Sequence, residues 1–318
     1  MEVSTNKNVQ VTFYEVSDSI KKSQPFSILN FSKLPVTFID SSEKVTVAPT
    51  EYPDSVSAPV SKSLAAVKGL RKFFMGQNYR KEWSAPVSMK IFNLRREKGG
   101  FKIKELGGGK QTRSLRLIDK DGNEWVLRNL NKDPSQTIPD LYRGPMVDDL
   151  VKELKSSSFP FGAFIVPHLA EPLGIPTAKP ELVFVPDDPA LEFYRPLFSN
   201  TVCILEQRNA SIDSSSTLST ATVFFKKMID DNDKLPMQAE VLKARLLDIL
   251  VADYDRHFDQ WRWGTIDTGK GKLYYPIPRD RDQSFFYSDG KLLKFLSGRA
   301  MPFLKGFRPD IPKVEWLG

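Results

Sequence analysis

Apolar and polar residues alternate in several short stretches of this chain, and apolar residues recur at helical spacing in a few others. Residues 8–16, NVQVTFYEV, alternate at Val9, Val11 and Phe13, with Tyr14 and Val16 adding β propensity, and read as a strand. Residues 27–39 and 44–49 carry weaker strand signals. Between 41 and 63 the chain is rich in Ser, Pro and Val and reads as a linker or extended arm. Residues 64–83 place Leu64, Val67, Leu70, Phe73 and Phe74 at helical spacing, which predicts a helix packing that face on the body.

Alternation returns between 87 and 130 in VSMKIFNL, FKIKEL, KQTRSLRLID and EWVLRNL, which predict an antiparallel sheet. The turn at 120–123 contains Asp-Gly, a good hairpin signal. Residues 148–159 predict a helix with Asp148 and Asp149 near its start, favourable for the dipole. A short helix is expected at 167–174, a strand at 181–185, and a buried strand at 200–208 with Glu206 near its end. Residues 209–220 are small and polar and read as a loop. A helix follows at 221–233. Pro236 then opens the strongest helix, 237–254, whose broad apolar face is Val241, Leu242, Leu246, Ile249 and Leu250. After it come a strand over Trp261–Arg262–Trp263, a turn over Gly269 and Gly271, and a second strand at 273–278.

The candidate chemistry gathers at 248–286. The helix delivers Asp253, Asp255 and Asp259, and the second strand ends in Asp280 and Asp282. A hairpin between them brings the two acidic groups together. One carboxylate can then handle a proton and another can hold a divalent cation. Upstream, Gly107, Gly108 and Gly109 sit between two strands. Glycines let backbone N–H groups approach and cradle phosphate oxygens, although such a run also serves as a plain flexible hairpin. Arg128 ends the next strand and Lys132 follows four residues later. Both can touch nucleotide phosphates or stand as surface cations.

Size and charge narrow the field. The 318 residues suffice for two lobes and a large core. The net charge of +7 suits a phosphate-rich ligand, but no Lys/Arg run or RNA-binding signature points to nucleic acid. The single cysteine, Cys203, can form neither an internal disulfide nor a zinc site. Two histidines, His168 and His257, exclude a His-rich metal centre, and His168 reads as structural. No stretch reaches the ~20 apolar residues of a spanning helix. The first residues lack a charged-then-apolar export pattern. The abrupt apolar end, FRPDIPKVEWLG, reads as that of a piece of a longer polypeptide.

The order of these parts resembles a kinase-like fold. The Asp255-Arg256-His257 triplet resembles the catalytic loop of atypical kinases, including phosphatidylinositol kinases and secretory-pathway kinases. LNKDPS, LGIPTA and ILEQR together with PIPRDRDQSFF are more similar to the spore-coat CotH kinases. NYRKEW, GGGKQTRSLRL, FVPDDP, DYDRHFDQWRW and PIPRDRDQSFF look like a domain of Bacteroidetes exported proteins that lies between a calcineurin-like phosphoesterase and an outer-membrane barrel. This likeness covers roughly 64–318 and implies a periplasmic or outer-membrane-associated setting.

The resemblance implies an α+β, two-lobed protein-kinase-like fold with an antiparallel N-lobe sheet and a mainly helical C-lobe. The lobes would be 64–208 and 209–318, after a strand and arm at 1–63 that can be the tail of a preceding domain. It implies ATP with Mg²⁺ or Mn²⁺, and an acceptor, protein or small molecule, that the sequence does not name. Asp255 would orient or deprotonate the acceptor hydroxyl. Asp280 or Asp282, with Gln260 and Asp259, would hold the metal. Gly107–Gly109, Arg128 or Lys132, and Glu206 at the hinge would hold the nucleotide. Phosphoryl transfer needs these parts because its catalysis is mostly positioning and charge neutralisation. Two positions depart from the pattern. Gln260 stands where such kinases carry Asn, and Arg128 where they carry Lys. Arg279 and Arg281 flank the acidic pair and can salt-bridge it. These departures favour the competing reading, a non-catalytic interaction module of an envelope protein. A phosphoesterase reading is disfavoured by the shortage of histidines.

Overall fold

A computed structural model describes residues 52–65, 67–107, 113–131, 153–208, 219–254, 256–292, 294–295 and 306–307. The strands expected at 8–16, 27–39 and 44–49, most of the loop at 209–220, the first part of the helix at 148–159 and the end of the chain lie outside them.

The alternating segments before residue 208 pair as strands β1 (Ser55–Pro59), β2 (Pro86–Ile91), β3 (Lys102–Gly107), β4 (Ser114–Ile118), β5 (Glu124–Asn129), β6 (Glu181–Val185) and β7 (Thr201–Gln207). They form one sheet in the order β1-β2-β6-β7-β5-β4-β3. Every pair is antiparallel except β2 with β6. A second sheet holds β8 (Ser219–Thr220), β9 (Lys234–Pro236), β10 (Trp261–Asp267) and β11 (Lys272–Pro278) in the order β8-β10-β11-β9. The helices include α1 (Gly69–Met75), α2 (Arg80–Ser84), α3 (Gly162–Ala170), α4 (Arg195–Phe198), α5 (Ala221–Asp230) and α6 (Gln238–Leu250). The fold is therefore α+β with an antiparallel-dominated sheet, as expected. Both sheets belong to one compact unit.

The central strand β7 explains its own sequence. Cys203 and Leu205 face a cluster with Phe92, Phe101, Leu115, Leu117 and Leu127. Val202 and Ile204 face the opposite cluster with Leu64, Trp83, Met89 and Ala163. A strand covered on both faces reads as a continuous apolar run. Each fully buried Leu or Ile there is worth about 1.5–3 kcal/mol of transfer free energy. The Cys203 thiol is buried and its pKa is pushed up to about 12, which makes it a packing group, not a nucleophile.

The structure differs from the sequence expectations at four places. Ser55–Pro59, read as part of an arm, is an edge strand paired with β2 from Ser55↔Lys90 to Pro59↔Pro86. β2 joins β1 and β6 and does not continue into the β3-β4-β5 meander. The expected helix at 64–83 breaks into a 3-10 turn at Lys62–Leu64 and the short α1 and α2. Gly69 and Gly76 have φ of 59° and 86°, left-handed conformations that bracket α1, and Leu70, Phe73 and Phe74 are left exposed. Finally, Pro236 closes β9, pairing with Tyr274. α6 begins after it and buries Ala244, Leu247 and Asp248, leaving Leu242, Leu246 and Leu250 exposed.

The β4–β5 hairpin is held by one side chain. The Asp119 carboxylate accepts from the backbone N–H groups of Asp121 (2.9 Å) and Asn123 (2.8 Å), from Asn123 Nδ2 (3.0 Å) and from Trp125 Nε1 (2.9 Å). Burial pushes this carboxyl up, but those bonds outweigh it and hold its pKa below the ordinary value. A depressed pKa contributes stability that is present above the unfolded value, about 3.9, and is lost as pH falls through the folded value. Asp119→Ala should therefore cost about 1–3 kcal/mol at neutral pH. The gap to wild type should shrink below about pH 4 in urea denaturation, since the unfolded carboxyl titrates there. A gap that does not change with pH would show that the charge is not what holds the turn.

The β10–β11 hairpin depends on Gly264, because a Cβ there would lie 1.9 Å from Cζ of Tyr275. Gly264→Ala should destabilise the protein by about 1–3 kcal/mol, as overpacking does. Thermal unfolding checks this, and an unchanged melting temperature would contradict it.

Candidate functional site

The antiparallel hairpin of β10 and β11 sets the geometry. Its register runs from Trp261↔Pro278 to Asp267↔Lys272, and Arg279 N–H donates to the Gln260 carbonyl at 2.8 Å. The segments at 256–260 and 279–282 therefore leave the same end of the hairpin. This brings together the chain on either side of it, as the spacing of the acidic groups predicts.

One layer of this end is a buried ionic core. Asp248 lies in the buried stripe of α6 and has no solvent exposure. A carboxylate so placed needs cations and hydrogen bonds. Arg256, Arg245 and Arg281 supply them, and Arg256 bonds it through two nitrogens. Its Nε donates to Asp248 Oδ2 at 3.1 Å, and its Nη2 to Asp248 Oδ1 at 3.3 Å and Asp253 Oδ2 at 2.6 Å. Its Nη1 donates to Gln260 Oε1 at 3.2 Å and to the Arg279 carbonyl. The guanidinium also lies 5.6 Å from the centre of the Trp261 ring. Arg245 reaches Asp248 at 3.0 Å, and Arg281 Nη1 bonds Asp248 and lies 3.6 Å from Asp253. Burial, with Arg245 nearby, pulls the pKa of Arg281 down to about 9.

The second layer spans the two sheets. Arg128 pairs with Ile204 across β5 and β7, so Glu206 lies diagonally opposite on the same face. Arg128 Nη2 lies 3.2 Å from Glu206 Oε1, and its Nη1 donates to Asp280 Oδ1 at 3.3 Å. Arg279 lies 3.9 Å from the same Glu206 oxygen. Burial pulls Arg128 down, but Glu206 and Asp280 outweigh it and its pKa is raised. Arg279 is lowered by burial, with Glu206 opposing. Asp280 has φ of 56°, a left-handed conformation costing an aspartate on the order of 1–3 kcal/mol that the surroundings must offset.

Three of the residues singled out in the sequence, Arg128, Glu206 and Asp280, thus meet. Asp282 lies half-buried in the turn after Asp280. Asp259 is exposed, and its carbonyl accepts from Arg262 at 3.1 Å. Gln260 is buried beside Arg256. The Oε1 atom expected to ligate a metal accepts from Arg256, and the guanidinium charge beside it opposes a cation there. Gly107 ends β3 opposite Ser114, where a Cβ would come within 3.2 Å of Ser114 Oγ and Arg116 Nε. Gly108, Gly109, Lys132 and Asp255 lie outside the described residues. Arg281, which can by its position salt-bridge the acidic pair beside it, reaches inward to Asp248. Asp248 opens the 248–286 stretch but is not among its candidate site residues. Its signal is a carboxylate one turn from Ala244 and Val251 and next to Leu247, inside the helix's apolar stripe.

The donor chemistry bears on a nucleotide and its cation. Among the described residues no three His, Cys, Asp or Glu side chains gather into a metal cage. Mg²⁺ is commonly held by one or two carboxylates plus phosphate oxygens, and Asp280, whose side chain is 35% exposed, offers one carboxylate of that kind. Arg128 and Arg279 supply the positive charge that phosphates require. The residues fit a metal–nucleotide pair in this shared form, and not a metal held by protein alone.

No family model and no curated protein matches the chain. Among solved structures, it is similar to the proinflammatory kinase CtkA of Helicobacter pylori, with a TM-score of 0.32 and 12% identity over 63% of this chain and 64% of that one. It is also similar to the Rio2 kinase of Chaetomium thermophilum, solved as an ADP/Mg²⁺-phosphoaspartate complex, with a TM-score of 0.29 and 13% identity over 63% of this chain and 56% of that one. The matched part is less than two thirds of either protein. No helix among the described residues is long and apolar enough to cross a membrane.

The ion pairs make a testable demand on stability. Arg128→Met should cost about 1–3 kcal/mol because it removes the cation held between Glu206 and Asp280. The cost should fall when Glu206→Gln and Asp280→Asn are already present. Equal costs in both backgrounds, measured by urea denaturation, would show that the charges are not linked.

Proposed function

We propose that this domain is a kinase-like phosphotransferase that binds ATP with Mg²⁺ or Mn²⁺ at the cluster of Arg128, Glu206, Arg279 and Asp280. The observation that carries the reading is the Arg128–Asp280 contact, made across 152 residues of sequence. It puts a strand cation and a carboxylate in one place, and phosphoryl transfer uses groups of both kinds to hold phosphates and their metal counterion.

In this reading Arg128 and Arg279 bind phosphate oxygens, and Glu206 orients both guanidinium groups. Asp280 holds the divalent cation, which when bound neutralises phosphate charge. Asp255 accepts the proton of an acceptor hydroxyl. That oxygen forms a bond to the terminal phosphorus, the bridging P–O bond breaks, and ADP leaves. The acceptor is a hydroxyl of a protein or a small molecule.

A second reading is favoured by the ion pairs themselves. Arg128 satisfies Glu206 and Asp280 without a ligand, as it would in a non-catalytic module built on an inward acidic–basic network.

Thermal unfolding with millimolar ATP and Mn²⁺ separates the two. Ligand at 100 times its Kd stabilises a protein by about 2.7 kcal/mol, so wild type should melt several degrees higher. Asp280→Ala should shrink the rise without removing it, because Arg128 and Arg279 still meet the phosphates. Asp255→Ala should keep the rise while losing phosphoryl transfer to any acceptor, its own hydroxyls included. No rise in wild type would sink the nucleotide reading in favour of the non-catalytic one.

A further inference from the structure

Asp280 occupies a left-handed backbone conformation, and the residues on either side of it are tied to the same buried carboxylate. Before it, the Arg279 N–H donates to the Gln260 carbonyl at 2.8 Å, and the Arg279 carbonyl accepts from Arg256. After it, the Arg281 guanidinium bonds Asp248. Arg256 also bonds Asp248 through two of its nitrogens. The backbone at 281–284 in turn lies against the start of α3, where a Cβ on Gly162 would stand 3.2 Å from the carbonyls of Arg281 and Ser284. Two more left-handed non-glycine residues, Ala252 and Phe285, flank this core, and Phe285 N–H donates to the Val251 carbonyl at 2.7 Å. Left-handed residues of this kind persist where the surroundings over-determine them.

We infer that Asp248 and Arg256 are positioning residues for Asp280, holding its backbone left-handed so that its carboxylate meets Arg128 and can share a divalent cation with bound phosphate. The inference rests on the nucleotide reading above. Arg256 contacts no phosphate in this scheme. It acts by fixing the peptide before Asp280, while Asp248 fixes Arg256 and Arg281 together. A lysine cannot replace it, because one ammonium on a flexible stem cannot bond Asp248, Asp253, Gln260 and the Arg279 carbonyl at once. Residues that orient a metal-holding group from behind commonly change affinity 10- to 100-fold when altered.

The test is a double-mutant cycle on the Kd of Mn²⁺·ADP, measured by titration calorimetry on the whole chain. Circular dichroism and thermal unfolding verify that each variant is folded. Wild type, Arg256→Lys, Asp280→Ala and the double variant complete the cycle, and Arg281→Lys serves if Arg256→Lys does not fold. Arg256→Lys should weaken binding 10- to 100-fold in the wild-type background and leave it unchanged in the Asp280→Ala background, because its effect passes through Asp280. A variant that only loosens the fold would weaken binding equally in both. That equal loss, or an unchanged Kd in folded Arg256→Lys, would overturn the positioning role while leaving the nucleotide reading intact. No measurable binding by wild type would overturn both.

Discussion

The structure around the site depends on one carboxylate placed where an apolar side chain would be expected. Asp248 occupies the buried stripe of α6 with Ala244, Leu247 and Val251. Withdrawing a carboxylate from water costs on the order of several kcal/mol, and only close cations and hydrogen bonds offset it. Arg245 comes from the same helix, but Arg256 and Arg281 come from the two segments at the open end of the β10–β11 hairpin. The need to neutralise one buried charge therefore fixes how the helix, the loop after it and the segment after β11 meet.

Apolar packing carries this core toward the larger sheet. α3 lies in the chain between β5 and β6, yet Val166 and Ala170 pack against Ala244, Leu247 and Val251 of α6. On the smaller sheet, Phe224 of α5 stacks on Trp263 with ring centroids 3.9 Å apart and packs against Tyr274. Held this way, the end of β11 delivers Asp280 to Arg128 on the larger sheet. The two layers differ in their electrostatics. Burial dominates Arg281 in the deeper one and Arg279 in the outer one and lowers both; only at Arg128 do the paired carboxylates outweigh burial and raise the pKa. The outer cluster alone has a partly exposed carboxylate, and that is where a charged ligand can exchange with the ion pairs.

Period-2 alternation located β2 through β5, because a strand's side chains take opposite faces whatever its neighbour, and an apolar run located β7, which is covered on both faces. The Asp-Gly turn at 121–122 was equally local, and Gly122 adopts the expected positive φ of 84°. The apolar residues of α1 and α6 misled for a matching reason. Helical spacing shows that a face exists but not what covers it, and Leu70, Phe73, Leu242 and Leu246 remain exposed. The partnership of β1 with β2, and of β2 with β6, depends on chain brought in from far along the sequence.

The site divides along the same line. The acidic groups and the hairpin between them lie in one contiguous stretch, 248–286, set by β propensity and a glycine turn, whereas Arg128 and Glu206 come from the larger sheet. Which atoms meet was decided only by folding. Arg128 finds Asp280 across 152 residues, Gln260 turns its oxygen to Arg256, and Arg281 turns inward to Asp248. Ionic partners are chosen by burial and distance in space, and a linear pattern of charges records neither.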